Sequence, residues 1–373
     1  MPESPFVLAS YKLLQMKYFE RIDGLRFVAI SLVLIEHFAS TIGTKISAGY
    51  YGVDLFFVIS GFLITSILFK SKEKSFGRAY KNFIGRRTLR IFPIYYATII
   101  ILWILNLEIV RDKFVWLITY SFNYAWVLYD IPSTPINHFW SLCVEEQFYL
   151  FWPFIVLSLR NYPKTLITLI FSIITFGYMQ AIFNVIPEIS KYNQVNILTR
   201  MSSLGIGAFG AVYSANYKLS EKFFRNTVVE IAILILLVVS LVFPFKFQYI
   251  SLAFISLYLV LKATKYEFSI EFLNKFLTNK KIVYIGTISY GIYVFHLPIA
   301  YYFSLYLFDP LWTNIDFSNF GIFEKIRLHS WIIKFPLYTT LSILFASISF
   351  KYFEKPILKM KDKYFNNNDN QNP

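Results

Sequence analysis

Cysteine is almost missing from this chain. Cys143 is the only one in 373 residues, so no disulfide can close within the chain and no cysteine-based zinc site can be assembled. Histidine is scarce too: His37, His138, His296 and His329 are scattered without a HEXXH-type spacing, and no metal is expected. Charge is thin, at 16% of residues, and Gly and Pro number 14 each. Hydrophobic residues reach 56% and aromatics 20%, with a mean hydropathy of +0.51, the balance of a polytopic membrane protein. No short apolar stretch with a small-residue cleavage site precedes Leu25, so the first long helix is expected to direct insertion itself. No Gly/Ser linker, composition shift or clear internal repeat marks a second folded unit.

What is present is a series of apolar runs of roughly 17 to 25 residues. Ten such runs are found, several only barely long enough: 25–43, 51–69, 91–107, 139–159, 166–183, 201–215, 228–243, 249–261, 282–307 and 331–350. The expected fold is an all-α integral membrane protein, a single bundle of about ten transmembrane helices. An eleventh stretch, 114–128, reads as interfacial, because Trp116, Tyr120, Tyr124, Trp126 and Tyr129 resemble a headgroup-level aromatic belt. Alternate loops divide the basic residues unequally, 26 on the side of the N-terminus and tail against 9 on the other, so both termini are expected to be cytoplasmic. The net charge of +14 therefore reads as membrane topology, and nucleic acid is not expected as a partner. Residues 1–20 read as an N-terminal extension outside the fold, with Met16 as the expected natural start. Residues 21–358 form one membrane domain, and the polar tail 359–373, ending in an Asn-rich run, is expected to be disordered.

The first run carries the costliest residues. Arg21-Ile22-Asp23-Gly24-Leu25-Arg26 opens an apolar helix that ends at Glu36-His37. Eleven residues of α-helix span roughly 16 Å with little net rotation, so Arg26 and His37 share a face. An Arg or Asp at a helix centre costs about 2.5 to 3.5 kcal/mol on insertion scales, and such groups usually face an interior site or a water-filled cavity. Counting rise per residue places His37, His296, Glu145 and Glu146 at one level, with Ser60 near that depth and Asp54 closer to the outer rim. These groups are expected to converge outside the midplane as a catalytic constellation. Structural roles stand beside this reading: a buried Glu can simply pair with an Arg, and His296, close to Pro298, can satisfy a carbonyl that the proline frees. His329 reads as a solvated loop residue, and His138 as orienting a helix start.

Arg86-Arg87-Thr88-Leu89-Arg90 precedes Ile91-Phe92-Pro93-Ile94-Tyr95. Three guanidiniums within five residues suit phosphate binding, since each can donate two parallel hydrogen bonds to oxyanion oxygens. Cytoplasmic loops are enriched in Arg and Lys for topological reasons alone, and that reading stays open.

Taken together, six segments resemble the acyltransferase 3 family of membrane acyltransferases over nearly the whole chain. They are Asp23-Gly24-Leu25-Arg26 with His37; Gly52-Val53-Asp54-Leu55-Phe56-Phe57-Val58-Ile59-Ser60-Gly61-Phe62; Arg86-Arg87-Thr88-Leu89-Arg90-Ile91-Phe92-Pro93; His138-Phe139-Trp140-Ser141-Leu142-Cys143-Val144-Glu145-Glu146-Gln147-Phe148-Tyr149; Ile288-Ser289-Tyr290-Gly291-Ile292-Tyr293-Val294-Phe295-His296; and Tyr352-Phe353-Glu354-Lys355-Pro356. One position departs, Cys143 standing where the family usually has serine, which argues against an indispensable thiol nucleophile.

The resemblance implies transfer of an acyl group, commonly acetyl, from cytoplasmic acyl-CoA to a hydroxyl of an extracytoplasmic glycan or glycolipid, such as lipopolysaccharide O-antigen or exopolysaccharide. It implies essential roles for Arg26 and His37, and a place in the bacterial inner membrane. On this reading Arg86, Arg87, Arg90 and Tyr95 hold coenzyme A. His37 acts as general base or acyl carrier, Glu36 or Glu145 orients it, and Glu146, Ser60 and His296 complete the site. The alternative is a flippase or transporter of a lipid-linked sugar, whose buried charges would line a substrate path without any need for acyl-CoA.

Overall fold

The computed structural model describes residues 19–39, 43, 46–132, 134–187, 192–243, 248–314 and 331–365. Among these residues the regular structure is helical throughout, with no strand. The longer helices are α1 (Glu20–Phe38), α2 (Ala48–Lys70), α3 (Phe76–Ile104), α4 (Phe139–Leu159) and α5 (Pro163–Phe183). They are followed by α6 (Ile197–Asn216), α7 (Thr227–Val242), α8 (Gln248–Thr264), α9 (Ser289–Thr313) and α10 (Trp331–Ser349).

Six of them, α2, α3, α4, α5, α9 and the helix that begins with α10, are long and apolar enough to cross a membrane. The chain is a multi-pass membrane protein on that ground. The expected count of about ten crossings rests on four further helices that each fall short in one respect. Glu20, Arg21, Asp23, Arg26 and Glu36 weigh against α1, and Ser and Gly residues dilute α6. The remaining two are short, α7 with 16 residues and α8 with 17. The stretch 114–128 forms two helices, Phe114–Ile118 and Phe122–Tyr129, each too short to span. Tyr120 stacks on Tyr95 at their junction, with ring centroids 4.3 Å apart. The C-terminal helix Lys355–Tyr364 includes residues 359–364 of the polar tail, while His329, residues 1–18 and the Asn-rich run lie outside the described residues.

Around α2 the bundle is closest packed. A helix apolar on all sides belongs in the interior, and α2 is the most buried of the six, packed against α1, α4, α6 and α8. Its contact with α6 is backbone on backbone: a Cβ at Gly61 would strike the carbonyl of Leu204, and one at Gly207 would strike the carbonyl of Val58. Small residues permit such close approach in membrane helices, where dispersion rather than water exclusion drives association. On the other flank, a buried ion pair joins α7 to α8. Lys262 Nζ lies 2.7 Å from Glu230 Oε2, both side chains are sealed from solvent, and Glu230 also accepts from the Ser269 and Ile270 amides. Lys262 donates in addition to the Phe224 carbonyl, so the pair is compensated on all sides.

The α2–α6 contact yields a test. Gly207→Val forces the two backbones apart and is expected to lower stability by about 1 to 3 kcal/mol, the usual cost of overpacking. Thermal unfolding in detergent measures it, and an unchanged melting temperature would contradict the close packing.

Candidate active site

Four helices turn one polar stripe each toward a common seam. On α4 and the residue before it, His138, Ser141, Glu145 and Tyr149 recur at helical spacing on one face; on α9, Ser289, Tyr293 and His296 do the same. Arg26 and His37 lie along α1, and Ser60 lies on α2. The seam has two parts.

The first part is a cavity lined by Arg26, Ser60, Arg87, Arg90, Glu145 and Tyr293, among others. Arg26 is held by Asp23, with Nη1 and Oδ1 2.5 Å apart. Ser60 Oγ donates to Glu145 Oε1 at 2.8 Å, which leaves the Tyr149 hydroxyl to donate to Ser60 at 3.0 Å. The Arg87 guanidinium lies over the Tyr149 ring, 5.1 Å from its centroid. Among the described residues neither Arg87 nor Arg90 forms an ion pair, so the cavity carries more positive than negative charge. An oxyanion such as a phosphate is the natural complement, because it offers the forks paired acceptors.

The second part is a cluster of three imidazoles. The His37 and His296 rings are 5.1 Å apart between centroids, and those of His138 and His296 are 4.5 Å apart. His138 and His296 are buried, whereas His37 is exposed at the end of α1. Carbonyl partners set the tautomers. His138 Nε2 faces the Val294 carbonyl at 3.3 Å and His296 Nδ1 faces the Tyr293 carbonyl at 2.6 Å, so each of these nitrogens carries a hydrogen. His138 Nδ1 and His296 Nε2 are left buried without a partner among the described residues.

Ser141 and Tyr293 join the two parts. Their hydroxyls lie 2.6 Å apart, and each also reaches the His138 carbonyl.

The single level expected for His37, His296, Glu145 and Ser60 is thus divided. His37 and His296 do meet. Glu145 lies seven residues beyond His138 on α4, about 10 Å further along the helix, and it joins Ser60 and the arginines instead. Counting from span ends misjudged this because His138 precedes the first turn of α4 and already sits at the level of His296. Glu146 occupies the neighbouring face, within electrostatic reach of Tyr96, Tyr120 and Tyr290. Glu36 accepts from the Gly49 amide at 3.2 Å and ties α1 to the start of α2. Of the arginine cluster, Arg87 and Arg90 line the cavity, while Arg86 donates to the Phe365 carbonyl at 2.8 Å. Tyr95 is buried in packing and donates to the Leu117 carbonyl at 2.9 Å. Cys143 is fully buried.

Over residues 19–351 the chain matches the family described as an acyltransferase domain. It belongs to the acyltransferase 3 family. Among curated acyltransferase 3 relatives, the peptidoglycan O-acetyltransferase OatA of Listeria monocytogenes is 28% identical over 92% of this chain and 56% of its own length. The O-acetyltransferase OatA of Staphylococcus aureus is 27% identical over 95% of this chain and 59% of its own. The chain therefore spans less than two thirds of these relatives. No solved structure matches it.

His138 and Arg200 are the residues that sequence reasoning undervalued. A signal existed for His138 in Pro298. Proline lacks the amide hydrogen that would bond the carbonyl four residues back, which is Val294, the carbonyl that His138 engages. His138→Ala should therefore cost about 1 to 3 kcal/mol by stranding a buried acceptor. In a Pro298→Ala background the restored amide can serve Val294, and the same substitution should cost less than about 1 kcal/mol. Thermal unfolding of the four proteins completes the cycle, and equal penalties in both backgrounds would refute the assignment.

Proposed function

We propose that this protein is an O-acyltransferase of a bacterial cytoplasmic membrane, moving an acyl group, most simply acetyl, from acyl-CoA to a hydroxyl of an envelope glycan or glycolipid. The observation that carries this reading is the continuous polar seam, with excess guanidinium charge at one end and three imidazoles at the other. A cavity in which Arg87 and Arg90 have no ion pair among the described residues suits the phosphates of coenzyme A, with these two as the gripping residues and Arg26 beside them. With the arginine end toward the cytoplasm, as the loop charges favour, an extended pantetheine arm runs along the seam past Ser141 and Tyr293. The thioester then lies near His37. The names of the relatives, one of them a peptidoglycan O-acetyltransferase, support a carbohydrate acceptor.

In the proposed reaction the acceptor oxygen attacks the thioester carbonyl carbon, the carbon–sulfur bond breaks, and coenzyme A departs with the bonding pair. His37 takes the hydroxyl proton, and its exposure at the end of α1 gives an outside acceptor access to it. General-base assistance of this kind contributes about 10² to 10⁴ in rate.

His37→Ala should lower acyl transfer by at least about 10²-fold while leaving acyl-CoA binding largely intact, since Arg87 and Arg90 are untouched. The readout is labelled acyl groups on glycan, beside binding of a non-hydrolysable acyl-CoA analogue. Near-normal transfer would overturn the site, and glycan movement without acyl-CoA would point to a transporter. Arg90→Lys keeps the charge but loses the fork, and the KM for acyl-CoA should rise about tenfold, roughly 1.4 kcal/mol. An unchanged KM would return Arg90 to a topological role.

A further inference from the structure

A second polar space lies on the other side of α2, and the proposed function leaves it unused. It is bordered by Tyr50, Tyr178, Arg200, Ser203 and Tyr249. Arg200 is only 2% exposed, and its Nε donates to the Gln194 carbonyl at 2.5 Å. Its Nη1 and Nη2, the two nitrogens of the fork, are buried without a partner among the described residues. The guanidinium lies over the Tyr50 ring, 4.0 Å from the centroid, and over Trp140 at 5.1 Å. Close by, Asp54 is 1% exposed, accepts a hydrogen bond from Ser203 through Oδ1, and holds Oδ2 buried without a partner among the described residues. Asp54 and Arg200 feel each other's charge yet form no direct ion pair.

Buried polar groups are normally satisfied, and a buried cation and anion within reach of one another normally pair. Here Arg200 keeps its fork free beside the space, and Asp54 lies behind Ser203, which borders it. Their charges nearly cancel, which disfavours an anionic ligand and favours a neutral one rich in hydroxyls. The fork presents parallel donors suited to adjacent hydroxyl oxygens, the Ser203 hydroxyl, which donates to Asp54, keeps a lone pair for a hydroxyl hydrogen, and Tyr50 and Tyr249, with centroids 4.4 Å apart, supply an aromatic wall.

The position is equally specific. His37 ends α1, Tyr50 and Asp54 open α2, His138 precedes α4, and Arg200 opens α6, so all lie at one end of the bundle. Trp140, in the first turn of α4, carries the Arg200 guanidinium, so the helix that bears the Ser141 and Glu145 stripe also packs on Arg200.

We infer that the space formed by Arg200, Ser203 and Tyr50, with Asp54 behind Ser203, is the subsite that holds a neutral sugar ring of the acceptor beside the imidazole cluster. This inference rests on the proposed acyl transfer to a glycan. Its test uses the full chain in lipid nanodiscs, with saturation-transfer NMR reading the binding of a β-1,4-linked N-acetylglucosamine trimer, maltotriose and, as the anionic comparison, inorganic phosphate. A sugar probe should bind the unaltered protein. Arg200→Lys keeps a cation over Tyr50 without the fork, and Asp54→Asn keeps an acceptor for Ser203 while losing the carboxylate. Both should weaken sugar binding about ten- to a hundredfold with acyl-CoA binding unchanged. If Arg200→Lys lowers the melting temperature, Asp54→Asn decides.

Failure of both sugars to bind, equal binding in the variants, or phosphate displacing sugar would overturn the subsite. Sugar binding that depends on Arg200 in a protein that transfers no acyl group would leave the subsite standing and remove the proposed function. Acyl transfer whose acceptor KM ignores both variants would do the reverse.

Discussion

A hydrogen that Pro298 cannot supply sets the geometry of the imidazole cluster. Its ring leaves the Val294 carbonyl without the usual helical donor, and water is not at hand in a packed apolar interior to replace it. His138 fills the position from the start of α4, which brings α4 and α9 together at a fixed height. Once that height is set, Ser141 meets Tyr293 one turn further on, and His296 is presented to His37 on α1. A backbone deficiency in one helix thus aligns side chains from three.

The same economy of partners shapes the other half of the seam. Asp23 holds Arg26, Ser60 and Tyr149 hold Glu145, and the Tyr149 face receives Arg87. Each acidic group is restrained by a hydrogen bond, whereas Arg87 and Arg90 keep their forks for something else. Anchored acids beside open cations make a cavity that is polar but not self-neutralising, and that imbalance distinguishes a binding space from a structural ion-pair network. Lys262 and Glu230 provide the contrast within the same molecule, since every strong donor and acceptor there is answered.

Much of this was legible in the residues. Among the described residues each of the ten apolar runs overlaps a helix, although 282–307 crosses the break between Lys280–Thr287 and α9, and the pairing of His37 with His296, and of Ser60 with Glu145, follows from depth and periodicity. Periodicity gives rotation about a helix well, but height only relative to an end that the sequence places within a few residues, roughly a turn of 5 Å. That error is enough to merge two levels into one. Side-chain choices within a basic run were not legible either: Arg86 reaches the chain's own C-terminal segment while Arg87 and Arg90 do not, and only the packing of α3 against that segment decides it. Tyr95, similarly, is claimed by Leu117 and Tyr120 from a stretch that looked peripheral. Arg200 counted only as a loop charge, because nothing local announces that Tyr50 and Trp140, far away in the chain, will bury it.

The brevity of α7 and α8 bears on the bilayer itself. At 16 and 17 residues they reach about 24 to 26 Å, against a hydrocarbon core of about 30 Å. Lipid meets a short span by thinning, at a fraction of a kcal/mol per Å. Tyr249, in the first turn of α8, stacks on Tyr50 at the rim of the Arg200 space. A bilayer that thins there dips beside that rim, and, if the space takes the proposed sugar, a headgroup-level glycan chain meets its opening without leaving the aqueous boundary.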